Sequence, residues 1–241
     1  MLSAKHLSRD FASRHAAIDV NIELEQGEVL GLLGQNGAGK STVMQMLAGV
    51  LAPTHGAIEI CGINLATDAR SAKMLIGYLP EQPPLYLDMS VDDFLAFAAK
   101  LRRTPKPAAA VARAKTRCGL ADVGKRLLAH LSKGYRQRAG IAQAIVHNPR
   151  VVILDEPTAG LDPVQIREIH KLIRELGDES SVILSTHILG EADALCDRIH
   201  ILREGKIVFS GRGAELAEQC GVDLALQHLA GQHCAQEVSA P

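Results

Sequence analysis

The chain has 241 residues, of which 47% are hydrophobic, so it can bury a large core as one α/β domain or as a core with a subdomain. Its formal net charge of −1 argues against a general nucleic-acid binder, and we expect no nucleic acid among its partners. No apolar run approaches about 18 residues and the N-terminus lacks the residue order of a secretory signal, so we expect no transmembrane segment.

The five cysteines are odd in number and include no C-x-x-C pair, which favours a reducing, cytosolic compartment. Cys220 and Cys234 gather with His228 and His233 near the end of the sequence. Their spacing matches no common zinc pattern, so a metal site is the less favoured interpretation of this group.

The first apolar-alternating stretch, which includes Ile18, Val20, Ile22 and Leu24, predicts a strand. Phe11 precedes it, alone among polar residues. An aromatic side chain there either stacks on a nucleobase or fills the core, and composition alone favours the core.

The segment 34–41 reads GQNGAGKS and fits the spacing G-x-x-x-x-G-K-[ST] of a phosphate-binding loop. It lies between an apolar run at 29–33, predicted to be a buried strand, and a helical pattern at 41–51. The glycines let backbone N–H groups converge on an anion, the lysine supplies a charge for the β and γ phosphates, and the serine hydroxyl suits Mg²⁺. The predicted ATP contacts are Gly34, Gln35, Asn36, Gly37, Ala38, Gly39, Lys40, Ser41 and Thr42.

Two further strands, at 57–61 and 76–79, are predicted to flank a short helix at 68–75. Pro80-Glu81-Gln82-Pro83-Pro84 then interrupts regular structure, because three prolines fix φ and remove backbone donors. We interpret this stretch as a hinge before a subdomain.

The region 85–149 is predicted to be entirely helical, with helices that begin at Ser90, Lys106 and near Ser132. Twelve Lys and Arg but a single acid lie between Lys100 and Arg138. The simpler interpretation is that they cover solvated helix faces, and the alternative is a docking surface near anionic lipid headgroups or an acidic partner.

The unbroken run Val151–Leu154 predicts a central parallel strand that ends in two carboxylates, Asp155 and Glu156. With the phosphate loop, Asp155 is predicted to hold Mg²⁺, and Glu156 to orient or deprotonate the water that attacks the γ phosphate. After it follow a helix capped by Asp162, a strand at 182–184 that leads to His187, a short helix at 191–196, and a hairpin at 198–210.

These motifs together resemble the nucleotide-binding subunit of an ATP-binding cassette (ABC) transporter, over about residues 2–211. The resemblance implies a P-loop NTPase core of α/β class, mainly a parallel sheet flanked by helices with an antiparallel β part. It divides the chain into a core at 1–84 and 150–211, an inserted all-helical subdomain at 85–149 and a tail at 212–241.

By that resemblance Gln82 is the Q-loop glutamine that binds Mg²⁺ and relays to the membrane partner, and His187 is the switch histidine. Asp162 belongs to the D-loop, Phe11 is the base-stacking aromatic, and catalysis falls to Glu156, His187 and Lys40. The predicted metal ligands are Ser41, Gln82 and Asp155.

The segment Leu131-Ser132-Lys133-Gly134-Tyr135 falls where the family carries Leu-Ser-Gly-Gly-Gln, with Lys133 and Tyr135 as departures. By resemblance, Ser132 and Gly134 contact the ATP of a second copy. This variant looks most like subunits that pair with separate exporter-type permeases.

The resemblance implies a clamp in which two copies close over ATP and Mg²⁺ and drive a membrane permease, and it implies export as the direction of transport. The predicted location is cytoplasmic, peripheral on the cell membrane through the permease. The alternatives are a small-molecule kinase, which should lack the signature and switch histidine, and a soluble ABC-type ATPase not involved in transport.

Overall fold

The computed structural model describes residues 1–12, 14–213 and 215. The strands in these residues are β1 (Leu2–Phe11), β2 (Arg14–Leu24), β3 (Val29–Leu33), β4 (His55–Ile60), β5 (Ile63–Asn64), β6 (Ile76–Leu79), β7 (Val151–Leu154), β8 (Ser181–Thr186), β9 (Arg198–Arg203) and β10 (Lys206–Gly211). The α-helices are α1 (Lys40–Leu47), α2 (Ala69–Met74), α3 (Val91–Leu101), α4 (Pro107–Arg117), α5 (Lys133–Ile145), α6 (Pro163–Gly177) and α7 (Leu189–Leu195).

A six-stranded sheet in the order β10-β9-β3-β8-β7-β6 forms the centre of the molecule. Strands β9, β3, β8, β7 and β6 are parallel, and β10 returns antiparallel as the predicted hairpin. All residues of β3, β7 and β8 are buried, as expected for strands that helices cover on both faces. Their carboxyl ends meet at one edge, because Leu33 pairs with Thr186 and Leu154 pairs with Leu184.

A second, antiparallel sheet in the order β2-β1-β4-β5 packs over α1. Its buried side chains join those of α1 and of one face of the central sheet in a single cluster, which includes Leu7, Val20, Met44 and Ile153. Helix α1, which begins at the end of the phosphate loop, therefore lies between the two sheets.

Between β6 and β7 the regular structure is helical; α3, α4 and α5 pack on one another, and α5 packs on the other face of the central sheet. Ser90 caps α3, as predicted, and accepts a hydrogen bond from the Asp93 N–H at 3.1 Å. Arg138 and Arg117 form ion pairs of 2.9 and 2.8 Å with carboxylates on and just beyond α6. Part of the basic charge of this segment is thus neutralised by the core. The predicted fold class is confirmed.

The group of Cys220, His228, His233 and Cys234, for which a metal site is the less favoured interpretation, lies outside the described residues. Within residues 1–12, 14–213 and 215, no cluster of three His, Cys, Asp or Glu is arranged to hold a metal ion. In the same part of the chain, every helix is too short or too polar to cross a membrane.

Candidate functional site

The phosphate loop turns sharply between β3 and α1. Gly39 is the N-cap of α1 and has φ of 107°, a conformation that costs glycine little. Any Cβ on Gly39 would collide with the Ala16 carbonyl oxygen, and one on Gly34 would collide with the Leu202 carbonyl oxygen. Only glycine fits these two positions, and the tight turn directs the first N–H groups of α1 toward the loop.

The Lys40 side chain is buried under the loop, with 5% of its surface exposed. Its ammonium donates to the Gly34 carbonyl at 2.7 Å and lies 3.1 Å from Glu156 Oε1. A buried lysine is stable only when its charge is paired, so Glu156 acts as its counter-ion when no phosphate is bound. A triphosphate would supply Lys40 with a competing set of negative oxygens.

A cavity of about 540 Å³ opens over the loop. The lining residues that the sequence analysis assigns to the site are Phe11, Gln35, Asn36, Gly37, Gly39, Lys40, Ser41, Thr42, Glu156 and His187. The four that it does not assign to the site are Arg14, Ala16, Glu81 and Ala159. Of the other predicted loop contacts, Ala38 is buried and Gly34 accepts from Lys40. Phe11 is 44% exposed at the cavity edge, so it does not fill the core.

Glu156 occupies a strained position at the carboxyl end of β7. Its φ is 47°, a left-handed conformation that costs a non-glycine residue about 1–3 kcal/mol. The turn is held by the Glu156 N–H, which donates to Ser185 Oγ at 2.9 Å, and the carboxylate Oε2 lies 2.9 Å from His187 Nδ1. Strand pairing thus brings the predicted base and the predicted switch histidine into direct contact.

Asp155 lies beneath the cavity and accepts a hydrogen bond of 2.6 Å from Ser185 Oγ. Burial raises the pKa of Asp155, hydrogen bonds from Ser185 and Ser41 oppose that shift, and the charges of Glu156 and Glu81 add to it. An anionic carboxylate beside a serine hydroxyl is the all-oxygen donor set that Mg²⁺ prefers. The residues present therefore fit the expected ion.

Replacing Asp155 with Asn is expected to stabilise the nucleotide-free protein while abolishing the effect of Mg²⁺ on nucleotide binding. Because the folded-state pKa is raised, the ionised carboxylate destabilises the fold at neutral pH, and this cost disappears as the pH falls through the folded-state pKa. The gain in melting temperature should thus be largest at neutral pH and shrink toward about pH 4. Thermal melts across pH measure the change in stability, and ATP titrations in Mg²⁺ and in EDTA measure the effect of the ion on nucleotide binding. If Mg²⁺ still changes the ATP affinity of the variant as it does that of the wild type, the prediction is contradicted.

At the proline-rich stretch the structure adds a second candidate beside the predicted Gln82. Glu81 and Gln82 are both exposed, but only Glu81 lines the cavity, and its charge acts on the pKa of Asp155. Glu81 is therefore a second candidate for the metal role predicted for Gln82.

The signature and D-loop residues are placed around the start of α5 and α6, not in the cavity lining. Ser132 is exposed and caps α5, Gly134 is buried against the Gln165 side chain, and Asp162 caps α6 through two N–H groups. Lys133 lies against Gly160, and Tyr135 packs on the core beneath the Arg138 guanidinium. A contact of Ser132 and Gly134 with ATP stays a prediction, and it requires a second copy.

Arg14 is a residue that the sequence analysis missed. Its guanidinium Nη2 donates to the Gly37 carbonyl at 2.9 Å, which holds the tip of the phosphate loop. No local pattern marks it, because the contact joins β2 to a loop 23 residues away.

Glu191 is a second missed residue, buried at the start of α7 with 8% of its side chain exposed. It accepts hydrogen bonds from Thr158 Oγ1 at 2.9 Å and Thr186 Oγ1 at 2.8 Å. Thr158 follows Glu156 by two residues, and Thr186 directly precedes His187. One carboxylate thus ties together the two segments that carry the base and the histidine.

Replacing Glu191 with Ala is expected to lower kcat by about 10-fold to 100-fold, since small displacements of catalytic groups have effects of this size. ATP affinity should stay unchanged, because Glu191 does not line the cavity. Asp193→Ala, on the exposed face of the same helix, is the control. Phosphate release measures kcat, and fluorescent-nucleotide binding measures ATP affinity. If Glu191→Ala and Asp193→Ala lower kcat equally, the result would argue against a positioning role for Glu191.

Comparisons with known proteins agree with this geometry. Residues 18–159 match the family model described as ABC transporter. The chain is 37% identical over 221 residues to the uncharacterized ABC transporter ATP-binding protein YxlF of Bacillus subtilis, covering 91% of this chain and 73% of that protein. It is 37% identical over 210 residues to the bacitracin transport ATP-binding protein BcrA of Bacillus licheniformis, covering 86% and 68%.

A third similar protein is the lantibiotic transport ATP-binding protein SrtF of Streptococcus pyogenes, 34% identical over 209 residues, with 86% of this chain and 89% of that protein covered. Among solved structures, the ATP binding subunit of an ABC transporter superposes with a TM-score of 0.84 at 31% identity, covering 95% of this chain and 99% of that one.

Proposed function

The chain belongs to the ABC transporter family of ATP-binding proteins, and on this premise we propose that it is the ATP-hydrolysing subunit that drives a separate membrane permease, in the direction of export. ATP binding and hydrolysis follow from the family. The observation that carries the proposal is the contact of Glu156 with both Lys40 and His187 in the cavity above the phosphate loop.

The proposed reaction uses the residues of that cavity in sequence. The adenine base stacks on Phe11, and the N–H groups of the loop and Lys40 bind the phosphates. When ATP attracts Lys40, Glu156 loses its counter-ion and accepts a proton from the attacking water. The water oxygen bonds to the γ phosphorus as the bond from that phosphorus to the bridging oxygen breaks and ADP leaves, while His187 contacts the carboxylate and the γ phosphate and positions one against the other. Mg²⁺, held by Ser41 and Asp155 with a further oxygen from Glu81 or Gln82, would supply charge neutralisation at the β and γ phosphates.

We propose a homodimer as the catalytic unit. Ser132 lies at the N-terminus of α5 outside its own cavity, and its exposed hydroxyl is available to an anion from another copy. Gly134, in the first turn of the same helix, is buried against Gln165 in the single chain, so its contact with that anion requires the Gln165 side chain to move. Asp162 and the loop before it would line the same interface. The helical segment 85–149 would then move as a subdomain relative to the core when the dimer closes.

Transport is supported by the relatives, since the bacitracin and lantibiotic proteins are named as transport ATP-binding proteins. We propose a membrane permease as the partner and the cytoplasmic face of the membrane as the location. A soluble ATPase outside transport is not favoured, because these similar proteins are named for transport.

The test is to isolate this chain, tagged, from detergent-solubilised membranes of its native cell. We expect an integral membrane protein to copurify in stoichiometric amount, and its presence to change the ATPase rate of the complex. A chain that hydrolyses ATP but copurifies with no membrane protein would overturn the transport proposal.

A further inference from the structure

The Arg9 side chain covers one face of the Phe11 ring. Its guanidinium carbon lies 4.7 Å from the ring centroid, which is within the distance of a cation–π contact. Phe11 lines the nucleotide cavity and is 44% exposed, whereas Arg9 is not part of that lining. Arg9 therefore contacts the ring without contacting the cavity, and its influence on a nucleotide passes through Phe11.

The guanidinium of Arg9 is held by the segment that follows α1. Its Nη1 donates a hydrogen bond to the Ala52 carbonyl at 2.9 Å. Its Nε is buried and has no hydrogen-bond partner in the part of the chain that the structure describes. Arg9 thus joins a backbone carbonyl to an aromatic ring and fixes the position of the ring relative to that carbonyl.

Neighbouring hydrogen bonds attach the end of β1 to the same segment. The Asp10 N–H donates to Thr54 Oγ1 at 3.1 Å, and the Thr54 N–H donates to the Ser8 carbonyl at 2.8 Å. The segment 52–54 follows α1, and α1 begins at the end of the phosphate loop. The Phe11 ring is therefore placed relative to the phosphate loop by contacts that do not involve a nucleotide.

A cation behind the ring favours stacking on the opposite face for two reasons. A base that stacks on a freely rotating side chain must immobilise it, and a ring that is already held on one side loses less conformational entropy. The cation also attracts the π electrons of the ring, which weakens their repulsion of the π electrons of a base on the other face. Both effects make Phe11 a better platform for a base.

We propose that Arg9 is a positioning residue for the nucleobase, which supports Phe11 from one face so that adenine stacks on the other. This inference rests on the proposed function, which places the base on Phe11. It divides nucleotide recognition into two parts, because the base depends on Arg9 whereas the phosphates depend on the loop and Lys40. A ligand that has phosphates but no base should be indifferent to Arg9.

The test measures two ligands on Arg9→Met, which keeps an apolar side chain but removes the charge and the bond to Ala52. Isothermal titration with a nonhydrolysable ATP analogue and with inorganic triphosphate measures binding with and without a base. We expect the affinity for the analogue to fall about 2-fold to 5-fold, as for an exposed cation–π contact, and that for triphosphate to stay unchanged. Arg9→Lys should restore most of the loss, and Lys5→Met, which removes an exposed cation from the same strand, should match the wild type.

Steady-state phosphate release separates positioning of the base from catalysis. Arg9→Met should raise KM for ATP by the same factor and leave kcat unchanged, since Lys40 and Glu156 are untouched. In a Phe11→Ala background, Arg9→Met should cause no further loss of affinity, because the ring through which it acts is gone. If Arg9→Met does not fold, Arg9→Gln, which keeps a donor for the Ala52 carbonyl but not the charge, replaces it with the same expected loss.

Three results would overturn the inference: equal losses for the analogue and for triphosphate, an unchanged affinity for the analogue, or the same loss in the Phe11→Ala background. The proposed function stands in each case if Phe11→Ala still weakens the analogue and not triphosphate. A Phe11→Ala protein that binds the analogue as tightly as the wild type would remove the base from Phe11 and overturn the inference with it. A wild-type chain that neither binds nor hydrolyses ATP would overturn the proposed function itself.

Discussion

Replacement of Glu156 with Gln is expected to lower the rate of ATP hydrolysis by about 10²-fold to 10⁴-fold, the usual contribution of a general base. Gln keeps the size of the side chain and its hydrogen bonds but cannot accept the proton of the attacking water. ATP binding should persist, since the loop and Lys40 are untouched and Lys40 loses a competing counter-ion. The variant should accumulate as an ATP-bound dimer.

Single-turnover phosphate release measures the hydrolytic step, and light scattering with ATP and Mg²⁺ measures the dimer. Glu59→Gln, the same substitution at an exposed position of β4, is the matched control and should behave as the wild type. A Glu156→Gln protein that stays monomeric at saturating ATP would contradict the clamp, and one that turns over normally would remove Glu156 from catalysis.

The central strands could be predicted from the sequence because burial on both faces demands continuous apolar runs. The runs at 29–33 and 151–154 have this form, and each ends in a functional segment. Because parallel strands end at the same edge of a sheet, the structure brings together Lys40, Glu156 and His187, the three residues to which the resemblance assigns catalysis. Their chemical roles remain predictions.

The first strand, β1, was not predicted separately, because its alternation is broken. Its pairing with β2 shifts register after Ala4 and again after Leu7, and His6 has a positive φ. Leu2, Ala4 and Leu7 are buried, so the spacing changes from two residues to three within one strand. A period-two search cannot recognise such a strand.

Side-chain contacts between segments that are distant in the sequence could not be predicted from it either. Glu191 joins Thr158 across 33 residues, and Arg14 reaches Gly37 across 23. The choice between Glu81 and Gln82 depends on the backbone direction after β6, which proline content does not specify. Such contacts depend on how the elements pack in three dimensions, and no local sequence pattern specifies that packing.

Two inactive variants are expected to restore ATP hydrolysis when mixed. Lys40→Met disables the phosphate loop, and Ser132→Asp keeps a good N-cap for α5 while placing a carboxylate against the triphosphate of the other copy. In a mixed dimer, the loop of the second variant meets the signature of the first, which forms one intact site. Random pairing then leaves up to about a quarter of all sites active.

Steady-state phosphate release at a protein concentration that supports dimers measures the recovery, after thermal melts have shown that both variants fold. A mixture of Lys40→Met with the double variant Lys40→Met/Ser132→Asp contains no intact loop, so its activity must remain at the background. If each protomer held a complete site, mixing would add only the two residual rates. Ser132 lies outside its own cavity, so it can complete a catalytic site only on another copy. Recovery of ATP hydrolysis in the mixture therefore shows that the site is shared between two copies.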